Sequence, residues 1–145
     1  MITIRRARPE DAAAIQLLNR DGLGYDFSLD DTRRKLESLC GREDHCILVA
    51  ELEPETVVGY IHLTDYDTVY FMPMKNVLGL AVFTEFRRRG IATKLMAAAE
   101  QWARETGASG VRLVSGINRE DAHAFYERMG YEMRKLQKNF VKVFD

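Results

Sequence analysis

The sequence has few of the residues that mark disulfide-rich, metal-binding or membrane-spanning proteins. Only two cysteines, Cys40 and Cys46, and three histidines occur in 145 residues, and none stands at the spacing of a metal site. No apolar run approaches the roughly 18 residues of a membrane-spanning helix, and no apolar segment with a cleavage site begins the chain. We therefore expect a cytoplasmic protein with no disulfide framework, no metal and no membrane partner.

Neither sign of charge dominates, since 21 basic residues stand against 22 acidic ones. A near-neutral chain gives no support to a bulk nucleic-acid role, so we expect no nucleic-acid partner. The length fits one domain, residues 1–145, which is long enough to bury roughly 70% of the surface of its unfolded chain.

Hydrophobic periodicity and turn residues predict the element order β-α-α-β-β-β-α-β-α-β-β. The predicted strands are Ile2–Ala7, Cys46–Ala50, Val57–Leu63 with an extension at Thr68–Met72, Val77–Phe83, Gly110–Ser115, and a terminal hairpin of Tyr131–Lys135 with Phe140–Phe144. The predicted helices are Pro9–Arg20, Ser28–Gly41, Ile91–Thr106 and Glu120–Met129. A helix joins Val77–Phe83 to Gly110–Ser115, so these two strands should be parallel. The fold class is therefore α/β, or α+β, with a mixed sheet.

A basic turn with one glycine connects the strand Val77–Phe83 to the long helix. It contains three consecutive arginines, Arg87 to Arg89, followed by Gly90. The first N–H groups of a helix have no intrahelical acceptor and carry the positive end of its dipole, so an anion placed there meets several donors. The turn predicts a phosphate or pyrophosphate site. Its spacing fits neither a P-loop nor a Rossmann turn, which disfavours a nucleotide-binding protein, and a solvated arginine cluster is the alternative.

The segment Arg87-x-x-Gly90-x-Ala92 resembles the Q/R-x-x-G-x-G/A signature of the GCN5-related N-acetyltransferases, the GNAT family. In that family the loop amides wrap the pyrophosphate of acetyl-CoA. The family also has the predicted element order over its whole length, with a mostly antiparallel sheet, helices on both faces and a splayed parallel strand pair. The resemblance therefore implies a GNAT-like fold and acetyl-CoA as cosubstrate, with no metal.

A second segment resembles the family pattern N-x-x-A-x-x-x-Y-x-x-x-G-[FY]. It matches at Ala122, Tyr126, Gly130 and Tyr131. The first position holds Arg119 where the family has Asn, and whether the preceding Asn118 substitutes for it stays open. The cofactor contacts that the resemblance implies are Leu80, Ala81 and Val82 for the pantetheine arm, then Arg87, Arg88, Arg89, Gly90, Ile91, Ala92 and Thr93, with Asn118 and Arg119.

The chemistry points to Tyr126. Transfer of an acetyl group from a thioester to an amine expels the CoA thiolate, and a phenol with a pKa of about 10 can protonate it. The family assigns this role to the matching tyrosine, so we expect direct attack by a primary amine with Tyr126 as general acid. The alternative is a helix tyrosine that fills the core beside Phe125. A non-catalytic acyl-CoA-binding module of the same fold is the second functional hypothesis.

The general base is less well defined. Many relatives carry Glu on the strand before the cofactor loop, near Leu78 or Gly79 here, and neither position is a carboxylate. Four residues stay open as alternatives, each of which also has an ordinary structural explanation: Asp65, Asp67, His62 and Glu51. An amine that arrives neutral would need no strong base.

The acceptor is predicted only by class. In the family, the loop between the first two helices and the opposite strand bend enclose the acceptor, and here they hold Tyr25 and Asp26, then Asp65 and Asp67. Acidic and aromatic groups suit a cationic amine through charge pairing and cation–π contact, although ordinary loop polarity explains them equally well. We expect a small-molecule or peptide amine; a homodimer stays open. The sequence around Tyr126 is similar to that of family members that acetylate aminoalkylphosphonates or aminoglycosides.

Overall fold

The computed structural model describes residues 1–145, and these form two compact units, Met1–Leu113 and Val114–Asp145. The strands of the first unit are β1 (Thr3–Arg6), β2 (His45–Glu53), β3 (Thr56–Tyr66), β4 (Met74–Val82) and β5 (Gly110–Leu113). Its α-helices are α1 (Ala12–Leu18), α2 (Leu29–Leu39) and α3 (Ile91–Glu105), and the second unit contains α4 (Glu120–Arg128). No helix of the chain is long and apolar enough to cross a membrane.

The sheet has the order β1-β2-β3-β4-β5, with antiparallel pairing throughout except for the parallel pair β4–β5. This confirms the predicted mixed, mostly antiparallel sheet. The parallel pairing joins Met74–Val77 of β4 to Gly110–Leu113 and then stops, while β4 continues to Val82. Beyond Val77, β4 stays paired with β3 on one side, and on the side of β5 its residues 78–82 form an open edge that faces no neighbouring strand.

Helices cover both faces of the sheet. On one face, α1 and α2 pack on an apolar cluster that includes Ile47, Val49 and Tyr60. Successive strand residues point to opposite faces, and a Cβ added at Gly59 would lie 3.4 Å from Cδ1 of Leu95 in α3. The helix α3 therefore lies on the face opposite α1 and α2.

The connection between α1 and α2 differs from its prediction. The first helix was expected to end at Arg20 and to be followed by a loop, but Asn19–Leu23 continues from α1 as a π-helical turn. The turn ends at Gly24, whose φ of 78° is left-handed and suits glycine. Ser28, where the second helix is predicted to begin, is the N-cap of α2, since its Oγ accepts a hydrogen bond from the Asp31 N–H at 3.0 Å.

Two predicted strand segments are wrong. Residues Thr68–Met72 are apolar and strand-like in composition, yet Tyr66 of β3 pairs with Met74 of β4, so these residues belong to the loop between the two strands. The terminal hairpin of Tyr131–Lys135 with Phe140–Phe144 is also absent, because residues 132–145 form no helix or strand. Phe140 and Phe144 are 87% and 83% exposed, and an isolated two-stranded hairpin is only marginally stable without a packed face.

Candidate active site

Two left-handed residues shape the loop between β4 and α3. Arg88 and Gly90 both have left-handed backbones, with φ of 64° and 76°, and such residues curl successive amides into a concave surface. Gly90 is the N-cap of α3, so the amides of the first helical turn lie directly after it. The Arg87 side chain donates from Nε to the Val82 carbonyl at 3.4 Å, which ties the loop to the end of β4.

The arginine side chains of this loop differ in their contacts. Arg88 and Arg89 are exposed, and the Arg89 guanidinium lies 5.3 Å from the centre of the Phe86 ring. Ile91, the first residue of α3, is buried, whereas Ala92 is half-buried and Thr93 is exposed. The predicted contacts in this loop are therefore brought together at one helix end.

The open edge of β4 begins at a bulge. His62 of β3 pairs with Gly79 and Leu63 pairs with Val77, so Leu78 is an extra residue without a partner. Leu78 is 50% exposed, while Ala81 and Val82 are buried. Beyond the bulge, the predicted residues Leu80, Ala81 and Val82 lie along the open edge.

Two cavities lie on the face covered by α1 and α2, and the larger one reaches Leu78 of this edge. The larger is about 350 Å³ and is lined by Asn19, Leu23, Tyr25, Asp26, Phe27, Tyr60 and Leu78. The second is about 200 Å³, shares Asn19, Phe27 and Tyr60 with the first, and reaches His62 and Lys35. Tyr25 and Asp26, predicted as substrate-binding residues, thus line the larger cavity, whereas Asp65 and Asp67 line neither.

A hydrogen bond between Tyr60 and Asn19 lies where the two cavities meet. The Tyr60 hydroxyl donates to Asn19 Oδ1, and burial raises the pKa of Tyr60 to about 12. Neither residue was predicted from the sequence. The sequence offers one indication of this pair. Tyr60 lies in the mainly apolar strand Val57–Leu63, and a tyrosine hydroxyl that is buried there needs a hydrogen-bond partner.

His62 is a poor base in this environment. Burial, with a smaller effect from the charge of His45, lowers the pKa of His62 to about 4. Its Nε2 lies 2.9 Å from Nδ1 of His45, so one of these nitrogens carries the shared proton. At neutral pH the His62 ring is therefore uncharged and binds a further proton only weakly.

The other candidate bases are held by cations or exposed. Asp65 accepts a hydrogen bond from Lys75 Nζ at 2.5 Å, and the same ammonium lies 4.1 Å from the centre of the Trp102 ring in α3. Glu51 accepts from the Glu55 backbone N–H and from Arg5, and these bonds lower its pKa. Asp67 is exposed.

In the second unit, Tyr126 lies on α4 within an aromatic group. Its ring centre is 5.3 Å from that of Phe125 and 6.1 Å from that of Tyr131. Burial raises the pKa of Tyr126 above its ordinary value, so the phenol keeps its proton at neutral pH. The residue has the protonation state of a general acid.

The turn before α4 holds the other two predicted cofactor residues. Arg119 is the N-cap of α4 and Asn118 precedes it, and both are exposed. His123 Nε2 donates to the Gly116 carbonyl at 2.8 Å, while the Arg119 N–H bonds the same carbonyl at 3.0 Å. The hydrogen bond of His123 therefore stabilises this turn, so His123 has a structural role.

The two thiols are poorly suited to nucleophilic catalysis. Burial raises the pKa of both Cys40 and Cys46, which lowers the thiolate fraction at neutral pH. Cys46 is also fully buried in the sheet. No group of three or more His, Cys, Asp or Glu side chains that could hold a metal is present.

Comparison with known proteins confirms the family resemblance. The model of the family "Acetyltransferase (GNAT) family" matches residues 12–131. The uncharacterized N-acetyltransferase YhfO of Bacillus subtilis (strain 168) is 30% identical over 137 residues, which cover 90% of each chain. The aminoglycoside N(6')-acetyltransferase type 1 of Stenotrophomonas maltophilia is 31% identical over 139 residues, covering 90% of this chain and 86% of the relative.

Solved structures show the same fold. AAC(6')-Iy, in complex with the bisubstrate analogue CoA-S-monomethyl-acetylneamine, superposes with a TM-score of 0.85 over 99% of both chains. At 18% identity this similarity concerns the fold alone.

Proposed function

Because the chain belongs to the Acetyltransferase (GNAT) family and is an N-acetyltransferase, we propose that it moves the acetyl group of acetyl-CoA to a primary amine of a small molecule. The observation that carries this proposal is the continuity of the open edge of β4 with the left-handed loop at Arg88 and Gly90 and the start of α3. An extended arm ending in a pyrophosphate fits such an edge followed by an anion site.

The residues of this chain fit CoA in two ways. The peptide groups of Leu80, Ala81 and Val82 bind the pantetheine arm as an added strand would. The backbone from Arg87 to Thr93 binds the pyrophosphate, and the exposed Arg88 and Arg89 add charge-assisted hydrogen bonds. Asn118 and Arg119 are proposed as further contacts before α4. Acetyl-CoA supplies the activated acetyl thioester.

The reaction follows from direct attack. The amine nitrogen forms a C–N bond with the acetyl carbon, the C–S bond breaks, and the sulfur leaves with the electron pair. Tyr126 donates its phenolic proton to that thiolate, since burial keeps the phenol protonated. The nitrogen loses a proton to solvent or to a base. Raised thiol pKa values at Cys40 and Cys46 disfavour an acetyl-cysteine step.

The acceptor is proposed to enter the larger cavity. Tyr25, Phe27 and Asp26 line it, and an acidic group among aromatic rings suits a cationic small molecule. The Stenotrophomonas relative is named for acetylating aminoglycosides, which makes amino sugars the first acceptors to test. Asp65 and Asp67, which lie outside both cavities, stay predictions.

The test has two stages. Thermal unfolding is measured with acetyl-CoA, CoA, ATP and NAD in parallel, because a ligand bound only by the folded state raises its stability. We expect a shift with the CoA species alone. Thiol release is then measured with an aminoglycoside, an aminoalkylphosphonate, a simple alkylamine and a short peptide as acceptors. Turnover with the peptide alone would contradict the small-molecule acceptor, and no shift with acetyl-CoA would contradict the cosubstrate.

A further inference from the structure

The Asn19–Tyr60 hydrogen bond is better explained by binding than by packing. Tyr60 belongs to the apolar cluster between the sheet and α1, and only 6% of it is exposed. A phenylalanine would fill the same volume without burying a hydroxyl, which costs stability unless it is paired. The chain instead keeps the hydroxyl and supplies Asn19 as its partner, at the junction of two cavities.

Gly79 leaves the space that the hydroxyl occupies. A Cβ added at Gly79 would lie 2.9 Å from Tyr60 Oη, closer than real Cβ contacts. The backbone of Gly79 is not among the left-handed glycines, so its conformation does not require glycine. The missing side chain therefore brings the phenol against the backbone of β4, directly after the bulge at Leu78.

The π-helical turn fixes Asn19. Its backbone carbonyl accepts hydrogen bonds from the N–H groups of Gly24 and, at 3.0 Å, Tyr25. The same turn positions Leu23 and Tyr25 on the wall of the larger cavity. Single π-helical turns occur frequently at functional sites, where the extra residue redirects a side chain.

We propose that Tyr60, oriented by Asn19, binds the nitrogen of the acceptor amine by accepting a hydrogen bond from one of its N–H groups. This inference rests on the proposed function and names the group that positions its acceptor. The Tyr60 proton is committed to Asn19 Oδ1, so the lone pairs of Tyr60 Oη are what it offers to a ligand. An N–H held in this way leaves the nitrogen lone pair free for attack.

The environment of the pair suits a neutral amine at the moment of reaction. The high pKa of Tyr60 keeps the phenol uncharged, and the neighbouring His62, on the wall of the second cavity, is also uncharged at neutral pH. Lys35 lies on the wall of the same cavity, and a positive charge there disfavours the ammonium form of a bound amine. Asp26 is the carboxylate on the wall of the larger cavity, and it is exposed. Tyr60 is thus a positioning group for a primary amine, with no role in proton transfer.

The first variant is Tyr60→Phe, which removes only the hydroxyl. We expect kcat/KM for the amine to fall about tenfold through a higher KM, the loss of one neutral hydrogen bond, with the Kd of acetyl-CoA unchanged. Tyr70→Phe is the matched control, since its ring is 69% exposed in the β3–β4 loop outside both cavities. We expect this control to behave as the wild type.

A double-mutant cycle separates positioning from packing. Asn19→Leu removes the partner of the hydroxyl, and we expect it to raise the acceptor KM about as much as Tyr60→Phe, with the double variant no worse than either. Asn19→Asp keeps an oxygen that accepts from Tyr60 and should restore most of the activity. A lower melting temperature with an unchanged acceptor KM in Tyr60→Phe would overturn the inference. Strictly additive effects of Tyr60→Phe and Asn19→Leu on the acceptor KM would overturn it as well.

The two proposals fail differently. If the wild-type protein does not bind acetyl-CoA or acetylates no amine, the proposed function falls, and the positioning role of Tyr60 falls with it. If the wild type is active and Tyr60→Phe keeps its acceptor KM, only the role of Tyr60 is lost.

Discussion

Nδ1 of His45 and Nε2 of His62 lie 2.9 Å apart, on neighbouring strands of the sheet. One ring donates and the other accepts, and protonating both would place two positive charges in contact. Burial lowers the pKa of the His62 ring to about 4. The pair therefore fixes His62 as a neutral ring beside the second cavity, which argues against His62 as the base that deprotonates an ammonium.

The first prediction concerns the pH dependence of stability. The pKa of His62 is about 4 in the folded protein against 6.5 in the unfolded chain, so between these values the unfolded chain binds a proton that the folded one does not. The free energy of unfolding should then rise with pH across this window, by up to about 3 kcal/mol, and His62 should have no effect above it. Urea unfolding at several pH values measures this.

The control is a matched pair of glutamine variants. His62→Gln should flatten the profile between pH 4 and 6.5, whereas His123→Gln on α4 should leave it steep. The contributions of Asp11 and Glu51, whose pKa values are lowered from 3.8 and 4.5, are lost mainly below about pH 5, so the slope between about pH 5 and 6.5 is the part that reports His62. A wild-type profile that is flat in the His62 window would contradict the neutral buried ring.

The second prediction concerns Asp65. The side chain of Lys75 is only 7% exposed and its ammonium has Asp65 as its carboxylate partner, so Asp65→Asn leaves a nearly buried charge without an anion. We expect a loss of about 1 to 3 kcal/mol in the free energy of unfolding. Turnover per folded molecule should be kept, because the carboxylate is committed to Lys75.

Asp44→Asn provides the comparison. Asp44 and Asp65 are similarly exposed, at 41% and 48%, but the partner of Asp44 is the exposed Arg42. A pair between exposed groups contributes little, so this variant should melt close to the wild type. Loss of turnover in Asp65→Asn with normal stability would instead support Asp65 as base.

The third prediction uses the two ends of α3. Gly90 and Gly107 have φ of 76° and 85°, and a Cβ at either would meet no atom within 4 Å. Valine at each position should therefore cost similar backbone strain, about 1 to 2 kcal/mol. Only Gly90→Val should also weaken acetyl-CoA binding, because Gly90 lies in the proposed pyrophosphate loop. Calorimetric titration of both variants with acetyl-CoA measures this difference. Equal acetyl-CoA affinities in the two variants would contradict a pyrophosphate site in this loop.

The parts of the fold that the sequence predicts are those coded locally. The unit β4–loop–α3 follows from an apolar run, a basic turn and a helical period, and the parallel pairing with β5 follows from the crossover rule. Ser28 predicts the start of α2 because an N-cap needs only its own helix. In these places neighbouring residues decide the structure.

The errors come from pairing and from contacts that are distant in sequence. Thr68–Met72 has the composition of a strand, but the register of β3 with β4 leaves it in a loop. Asn19 and Tyr60 are 41 residues apart, and nothing in a one-dimensional pattern brings them together. The bulge at Leu78 is equally hidden, since residues 77–82 form a continuous run without polar residues and show no alternation that an extra residue could interrupt.

The last prediction concerns Tyr126. Phenylalanine keeps the ring beside Phe125 and Tyr131 and removes only the proton donor. If that proton assists departure of the thiolate, Tyr126→Phe should lower kcat about 100-fold and leave acetyl-CoA affinity nearly unchanged. The loss should shrink with an acetyl donor whose leaving thiol has a lower pKa, because that thiolate needs less help. A core residue would instead lose stability and keep its turnover per folded molecule. Measuring kcat with both acetyl donors, together with a melting curve, therefore distinguishes a general acid from a core residue. A fully active variant would exclude Tyr126 as general acid.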